Sequence, residues 1–406
     1  MNSSTLTSSI SLPDSAPAAA RTVFKLLARL QHGSLDVQLP DGSSAHFGGA
    51  EGPRAALRIR NWAVCGAALK SGDIGFAESY VAGHWSTPDL CALMELFIRN
   101  REALEAVVYG RWWGALAYRL KHWLNRNNRA GSRKNIHAHY DLGNDFYRLW
   151  LDPTMNYSSA WFEGDRRRAL PEAQQAKMRR ALSECQVLPG QRVLEIGCGW
   201  GALAECAARD FSAKLTGVTL SSEQLAWGQD RLQRAALADQ AELRFQDYRD
   251  IADPAFDAIV SIEMFEAVGR EYWEDYFRCV HDKLKPGGRA CIQSITIRDD
   301  LFERYTRSSD FIQQYIFPGG MLPSPSQFRA QAAKAGLRVV NELAFGADYA
   351  ETLRRWREDF MQRDAEVRKQ GFDTRFMRLW EFYLAYCEAA FATGSTDVMQ
   401  FTLLRD

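Results

Sequence analysis

The sequence lacks a net charge, a long apolar run and any clustered cysteine motif. Its 50 Lys and Arg residues are balanced by 50 Asp and Glu residues, so the chain as a whole has no field that would attract nucleic acid. No run of 18 apolar residues occurs, which argues against a membrane-spanning helix. The eight cysteines are scattered, without a Cys-x-x-Cys pair or zinc-type His/Cys spacing, so we expect no metal site.

The N-terminus also lacks a secretory signal. Residues 1–20 are rich in Ser and Ala and have neither a basic start nor an apolar stretch. We expect these residues to form a disordered tail and the cysteines to be reduced, in a cytoplasmic protein. The 406 residues, 46% of them hydrophobic, are enough for two domains.

One short segment joins a buried-strand pattern to three alternating glycines. Residues 192–201 read Arg-Val-Leu-Glu-Ile-Gly-Cys-Gly-Trp-Gly. The apolar residues are typical of a strand buried in a parallel sheet. Gly197, Gly199 and Gly201 permit positive φ angles and leave bare backbone for a ligand to lie against. The segment therefore predicts a strand, a ligand-binding turn and a helix.

Two nucleotide-like ligands could use this turn. Gly197, Gly199 and Ala202 satisfy the dinucleotide pattern Gly-x-Gly-x-x-Gly/Ala, but residues 214–221 lack the acid that such sites need about 20 residues further on. The alternative pattern begins with Glu195 and resembles the first motif of class I S-adenosylmethionine (SAM) methyltransferases. We therefore expect SAM rather than NAD.

Strand-like and helix-like segments alternate after this turn. The predicted order is strand 214–220, helix 222–237, strand 241–246, strand 256–262, helix 271–284, strand 289–297 and a last antiparallel edge strand, 397–404. This alternation predicts an α/β fold with a doubly wound parallel sheet, Rossmann-like as in class I SAM methyltransferases. Ligands of such sheets bind at the carboxyl ends of the strands, where Thr219, Asp247 and Glu266 occur.

The remaining segments predict a cap and a smaller N-terminal domain. Residues 298–324 are aromatic and irregular, and we interpret them as a cap over the site. Residues 21–128 are expected to form an accessory α+β domain, with helices at 59–70 and 89–99 joined by 72–85, and residues 129–406 the catalytic domain.

The accessory domain is predicted to end in a basic, aromatic helix. No acidic residue occurs between Glu105 and Asp141, where seven Arg and Lys residues lie among Trp and Tyr residues. A cationic, tryptophan-rich segment is typical of a helix lying on a membrane surface, where each basic residue contributes about 1 kcal/mol. A linker helix that packs its aromatic residues between domains explains the pattern equally well.

Five motifs, in this order, resemble those of one enzyme family. They are His139–Asp145, Tyr157–Ala160, the glycine turn, Phe265–Gly269 and Tyr315–Pro323. Together they resemble the cyclopropane-fatty-acyl-phospholipid synthases, a family that includes fatty acyl C-methyltransferases. The resemblance covers the chain from about residue 60 and is densest over 137–325. It implies SAM-dependent methylene transfer to the cis double bond of an unsaturated phospholipid acyl chain, forming a cyclopropane ring. It also implies that residues 298–324 are a lipid-binding cap.

The resemblance also implies which residues bind the cofactor. Glu195 helps to fix its methionine end, above Gly197, Gly199 and Gly201. The other implied positions are Tyr140 at the methionine end, Thr219 and Gln224 at the ribose, and Asp247 and Tyr248 at the adenine. Side chains of these types can form the required hydrogen bonds. For Asp247 a second interpretation stays open, in which it caps the start of a helix.

Catalysis in such relatives requires a sheltered carbocation and a base. The resemblance implies a bound bicarbonate as the base, held by the matching residues Ser159, Glu266, Gln293 and Tyr349. Ser159 stands where many members have Cys, and Gln293 where many have His, which weakens the case for bicarbonate. Aromatic side chains that could stabilise the cation are Tyr157, Trp161, Phe265, Tyr315, Phe317 and Tyr349.

Cys387 matches a cysteine that has been considered catalytic in this family. It lies in a helical pattern without a basic neighbour that would lower its pKa, which favours a packed thiol.

Three functions remain open from the sequence. The first is cyclopropane formation at the inner face of a membrane, by a peripherally bound protein that could be a homodimer. The second is another SAM-dependent methyl transfer, either to a small molecule, protein or RNA, or to an acyl chain that is left with a methyl or methylene branch. The third is a non-catalytic lipid-binding relative whose ring has changed at Ser159 and Gln293.

Overall fold

The computed structural model describes residues 12–13, 15–49, 51–104 and 142–406. They divide into two units. The smaller contains the described part of Met1–Ala117 and the segment Thr374–Phe382, and the larger contains the described part of Tyr118–Asp373 and Tyr383–Asp406. The basic aromatic segment and the predicted boundary near residue 128 lie outside the described residues.

The smaller unit combines helices with a sheet. Its elements in the N-terminal part are α1 (Ala18–Leu27), β1 (Ser34–Gln38), β2 (Ser44–Gly48), β3 (Arg54–Ile59), α2 (Ala63–Val81), β4 (Trp85–Ser86) and α3 (Leu90–Arg99). In the described part of this unit the strands follow the order β2-β1-β3-β4. Asp89 caps α3 by accepting a hydrogen bond from the backbone N–H of Ala92.

Two expectations for this unit were wrong in detail. Helix α1 begins at Ala18, inside the predicted tail, because Ala20, Phe24 and Leu27 bury one face of it. The segment 72–85, predicted to join two helices, is mostly part of α2. A kink at Gly72, with φ 62° and ψ −136°, lets this helix change direction and continue.

The larger unit is built around one sheet. Its elements are α4 (Asn144–Tyr147), α5 (Leu170–Glu184), β5 (Arg192–Ile196), α6 (Ala202–Phe211), β6 (Lys214–Thr219), α7 (Ser222–Arg234), β7 (Ala241–Phe245), β8 (Phe256–Ile262), α8 (Trp273–Lys283), β9 (Leu284–Ile297), α9 (Asp299–Tyr305), α10 (Phe311–Tyr315), α11 (Pro325–Lys334), β10 (Leu337–Ala344), α12 (Gly346–Gln362), α13 (Asp364–Lys369), α14 (Thr374–Ala392, shared between the units) and β11 (Thr396–Arg405).

The sheet confirms the predicted doubly wound α/β fold. Among residues 142–406 the strand order is β10-β11-β9-β8-β5-β6-β7, and the pairs β5–β6, β5–β8, β6–β7 and β8–β9 are parallel. From β5 the chain adds β6 and β7 on one side, and then returns to add β8 and β9 on the other. The direction in which strands are added therefore reverses between β5 and β8. A crevice at the carboxyl ends of these two strands is where such folds bind ligands.

Two expectations for this unit are corrected. Strand β11 is antiparallel, as expected, but it is not at the edge, because the unpredicted strand β10 pairs with its free side. The segment 298–324, expected to be irregular, contains the short helices α9 and α10. In α10 the side chain of Asp310 accepts a hydrogen bond from the backbone N–H of Gln313, which completes a capping box.

Aromatic side chains pack α8 and α11 against one face of the sheet. The rings of Phe328 and Phe401 stack with centroids 3.9 Å apart, and Phe265 and Phe277 contact Phe328 edge-on. All four side chains are fully buried. Phe265, a candidate for stabilising a cation, is therefore a core residue.

We expect Phe328→Ala to lower the free energy of unfolding by about 3 to 5 kcal/mol, since it leaves a cavity against Phe401. Urea denaturation measures the change. Phe245→Ala is the control, because Phe245 is 45% exposed and its loss should cost less than about 1 kcal/mol. Equal losses in the two variants would contradict this account of the core.

Candidate functional site

The glycine turn opens into a cavity at the carboxyl end of β5. Gly197, Gly199 and Gly201 all have positive φ, at 86°, 48° and 80°. A Cβ atom on Gly197 would lie 2.9 Å from Met264, and one on Gly201 would lie 3.1 Å from Gly228. Among the described residues, a Cβ atom on Gly199 would meet no atom within 4 Å. The Cβ position of Gly199 therefore opens into the cavity, whereas the lack of a side chain at Gly201 lets the start of α6 approach α7 closely.

This first cavity has a volume of about 180 Å³ and lies where SAM was predicted to bind. The predicted cofactor residues that line it are Glu195, Gly197, Gly199, Thr219, Gln224, Asp247 and Tyr248. Gly201 does not line the cavity, and Tyr140 lies outside the described residues. We refer to this space as the cofactor cavity.

Glu195 has an unfilled hydrogen-bonding atom in this cavity. Its side chain is only 3% exposed, and its Oε2 atom has no hydrogen-bond partner within the described structure. Burial raises the pKa of this carboxyl group to about 8. A cationic amino group of a ligand would supply the missing partner and lower that pKa again. The site therefore fits the methionine end of SAM.

Two other predicted contacts are already engaged within the chain. The hydroxyl of Thr219 donates to the side-chain oxygen of Gln224 at 3.1 Å. Asp247 accepts from Arg249 through Nε at 2.9 Å, Nη2 at 2.6 Å and the backbone N–H at 3.0 Å. This last bond caps a short 3₁₀ turn, as in the second interpretation of Asp247. A role at the adenine stays a prediction.

A second cavity, of about 210 Å³, adjoins the first. Segments of the predicted cap and of α14 supply much of its wall, through Phe317, Met321, Tyr383 and Cys387 among others. Tyr157, Glu263 and Ala267 line both cavities. A carboxyl group therefore lies where the two spaces meet. We refer to the second space as the acyl cavity.

Glu263 is the centre of the polar ring that was predicted to hold bicarbonate. Its Oε1 atom accepts from the backbone N–H of Ser159 at 2.8 Å and from Nε2 of Gln293 at 2.7 Å. Its Oε2 atom accepts from the hydroxyl of Tyr349 at 2.8 Å. The Ser159 hydroxyl donates elsewhere, to the carbonyl of Ala160. The chain's own carboxylate thus fills the ring, and these residues do not fit bicarbonate.

Glu266, expected to belong to this ring, has different surroundings. It lines the acyl cavity, where one oxygen accepts from the backbone N–H of Ile295 and Oε2 has no partner within the described structure. Burial and the neighbouring charge of Glu263 raise its pKa to about 8.

The two carboxyl groups are unequally compensated. Burial also raises the pKa of Glu263, but the positive charge of Lys177 and the hydrogen bonds from Ser159, Tyr349 and Gln293 lower it. Burial outweighs these contacts, so the pKa of Glu263 stays above its ordinary value, but Glu263 is the better compensated of the two groups. Glu266, with a pKa of about 8, keeps its proton at neutral pH. Two neighbouring carboxyl groups in different surroundings are typical of acid–base sites.

Sequence reasoning passed over Glu263 in favour of Glu266. Both lie just after β8, and only the folded backbone distinguishes them. Glu263 has φ 49°, a left-handed conformation that is uncommon for a residue with a side chain. Such strain often occurs at functional sites. The sequence did offer one signal for Glu263, because an acidic residue directly after a parallel strand lies at the edge of the sheet where ligands bind.

The remaining candidates separate into cavity and non-cavity residues. Tyr157, Phe317 and Tyr349 line the acyl cavity. Tyr315 is 39% exposed, and Trp161 lies against Arg180. Cys387 also lines this cavity, but burial raises the pKa of its thiol well above the ordinary range, which supports a packed, neutral thiol.

The geometry joins a SAM-type cavity to an apolar one through a carboxylate. The family model described as mycolic acid cyclopropane synthetase matches residues 127–401. The chain belongs to this family. It is an enzyme of the class I methyltransferase fold, and its cofactor is SAM.

Two curated relatives match most of the chain. Tuberculostearic acid methyltransferase UfaA1 of Mycobacterium tuberculosis is 38% identical over 96% of this chain and 92% of its own length. The cyclopropane-fatty-acyl-phospholipid synthase of Escherichia coli K12 is 34% identical over 86% of this chain and 88% of its own.

A solved family structure agrees with the fold. Mycolic acid cyclopropane synthase CmaA1, complexed with SAH and CTAB, is 32% identical to this chain, with a TM-score of 0.62. The match covers 67% of this chain and 97% of that one.

We expect Gly199→Val to abolish SAM binding without unfolding the protein, because the new side chain would enter the cofactor cavity rather than strike protein atoms. Isothermal titration calorimetry measures the affinity, and circular dichroism monitors the fold. Gly287→Val is a matched control: Gly287 also has positive φ, at 75°, and open space around its Cβ position, but it lies outside both cavities. Weakened binding in the control as well would attribute the loss to backbone strain.

Proposed function

We propose that the enzyme transfers the methyl group of SAM to a cis double bond of a phospholipid acyl chain, with Glu263 as the base that completes the reaction. The observation that supports this most directly is the position of Glu263, which lines both the cofactor cavity and the acyl cavity. A base at that point is within reach of a methyl group passing from one space to the other.

The acyl cavity has the character that a hydrocarbon chain requires. Its apolar lining includes Ile312, Phe317, Met321, Leu353, Phe391 and Tyr386. The hydroxyl groups of Tyr157 and Tyr383 hydrogen-bond each other at 2.7 Å, so the Tyr157 ring is held in place. Its ring centroid lies 6.5 Å from that of Phe317. Aromatic faces arranged in this way can stabilise a cation on the chain.

The proposed chemistry leaves one proton to be removed. Bound SAM supplies an electrophilic methyl group, and an alkene that accepts it becomes a carbocation. Glu263, ionised, takes a proton and becomes neutral. Loss of a proton from the added methyl group closes a cyclopropane ring. If a hydride first shifts from the methylated carbon to the neighbouring cationic carbon, loss of a proton from the same methyl group leaves a methylene branch.

We propose the branched product. The expectation of a ring was based on Ser159, Glu266, Gln293 and Tyr349 matching the residues that hold bicarbonate in ring-forming relatives. In this chain Ser159, Gln293 and Tyr349 hold Glu263 instead, so the base is a different group. The similarity to tuberculostearic acid methyltransferase over 96% of the chain also supports this choice.

The substrate is proposed to be presented by a membrane. Among the described residues, none of the helices has both the length and the apolar character needed to cross a bilayer. Binding at the inner face of the membrane through residues 105–141, and assembly as a homodimer, remain predictions.

We expect Glu263→Gln to lower turnover by about 100-fold or more, the usual effect of removing a general base, while SAM affinity changes little. Glu266→Gln should keep most of the turnover, because glutamine imitates an acid that is already neutral. Assays with labelled SAM and unsaturated phospholipid vesicles compare the variants at pH 7. If Glu266→Gln lost as much activity as Glu263→Gln, the base would be Glu266.

The product itself can be identified by proton NMR of the extracted lipid. Both candidate products add one CH₂ group, so mass alone does not separate them. We expect vinylidene proton signals and no upfield ring protons. Ring protons without vinylidene signals would restore the cyclopropane assignment, and no transfer of label to lipid would refute the proposed substrate.

A further inference from the structure

A line of buried amides continues from Glu263 through the sheet. Gln293 on β9 and Gln400 on β11 are paired in register, and both side chains are fully buried. Nε2 of Gln400 donates to Oε1 of Gln293 at 3.0 Å. Nε2 of Gln293 in turn donates to Glu263. Each amide thus accepts on one side and donates on the other, in the direction of the carboxylate.

The outer end of this line is fixed by a cation. Nη1 of Arg180 donates to Oε1 of Gln400 at 2.6 Å. Nε2 of Gln400 also donates to the backbone carbonyl of Lys177 at 3.2 Å. The amide of Gln400 therefore has an acceptor beside its nitrogen and a donor beside its oxygen, so only one of its two orientations satisfies both.

Arg180 is itself held by its surroundings. Its Nη2 atom lies 3.4 Å from a carboxylate oxygen of Glu184, and its guanidinium carbon lies 5.7 Å from the ring centroid of Trp161. Its side chain is 12% exposed. A guanidinium restrained in this way can orient a neighbouring amide at little further entropic cost.

We propose that Gln400 and Arg180 are positioning residues, which hold the Gln293 amide so that it donates to Glu263 and keeps that carboxylate ionised and in place. This inference rests on the proposed role of Glu263 as the base. Gln400 supplies the donor that a glutamine at position 293 requires beside its side-chain oxygen. Without a neighbour, the Gln293 amide could rotate by about 180° and present its oxygen, rather than its nitrogen, to Glu263. The hydrogen bond from Gln400 to the Gln293 oxygen disfavours that orientation.

Other charged or titratable groups also act on Glu263. Lys177 on α5 favours its ionised form, while Glu266, after β8, disfavours a second negative charge. Tyr349 on α12 donates to it, and Asp152 lies close enough to Lys177 to share that positive charge. Gln400→Met keeps all four side chains and removes, besides the bond to Gln293, only the hydrogen bonds to the backbone carbonyl of Lys177 and from Arg180, so a change in the titration of Glu263 reports mainly on the amide line.

The sign of the expected effect follows from the hydrogen bond. Gln400→Met removes the donor to Oε1 of Gln293, so orientations of Gln293 that no longer donate to Glu263 become populated. Losing a donor to the ionised form raises the pKa of a carboxyl group. The acidic limb of turnover, which needs ionised Glu263, should therefore move upward by about half to one pH unit. Arg180→Met should shift it in the same direction.

The experiment measures turnover against pH for the full chain, with SAM affinity as a check of the fold. Arg179→Met is the matched control, because Arg179 precedes Arg180 on α5 but pairs with Asp210 at 2.8 Å. The control should keep the wild-type profile. In the double variant Arg180→Met/Gln400→Met, the shift should equal that of Gln400→Met alone, since the arginine acts through the glutamine. Additive shifts, or an unchanged profile in Gln400→Met, would overturn the inference.

A second readout does not depend on turnover. Infrared difference spectra between the wild type and Glu263→Gln isolate the carboxyl band of Glu263, whose pH titration is then followed in the Gln400→Met background. We expect the midpoint to rise; an unchanged midpoint refutes the positioning role. A raised midpoint together with an active Glu263→Gln variant would keep the positioning role and refute Glu263 as the base.

Discussion

The carboxyl group of Glu263 lies in the larger unit among contacts that favour its ionised form, and much of the site is arranged around it. Desolvation would drive such a group to keep its proton. Three donors from Ser159, Gln293 and Tyr349 oppose this, as does the positive charge of Lys177. A buried charge is tolerated only with that degree of compensation, so these contacts are interdependent.

Lys177 shows how far the compensation extends. Its side chain is fully buried, and its ammonium group donates to the hydroxyl of Ser158 at 2.6 Å. Burial lowers its pKa to about 8, while Glu263 and Asp152 act in the opposite direction. The lysine and the glutamate thus stabilise each other's charged forms. Removing either one leaves an uncompensated charge, which is more damaging than replacing both.

The position of this charge gives the two cavities separate tasks. In the cofactor cavity, bare glycine backbone and a Glu195 oxygen that has no partner among the described residues suit the cationic, amino-acid end of SAM. The acyl cavity is lined largely by aromatic and aliphatic side chains, which suit a hydrocarbon. Glu263 lines both cavities, which is why we propose it as the base. Glu266 stays neutral beside it because burial and the neighbouring charge of Glu263 both oppose its ionisation.

The sequence by itself determined the fold class and the cofactor turn, because hydrophobic periodicity and the spacing of Gly197, Gly199 and Gly201 are local properties. It also identified Ser159, Gln293 and Tyr349, through motifs that resemble one family. Only the tertiary structure decided what those three surround, since a left-handed backbone at Glu263 turns that carboxylate into the ring, whereas Glu266 binds the backbone of Ile295. Strand β10 pairs with β11, and β11 pairs with β9, which brings Gln400 beside Gln293. Both pairings join residues that are far apart in the sequence. No local pattern encodes such contacts.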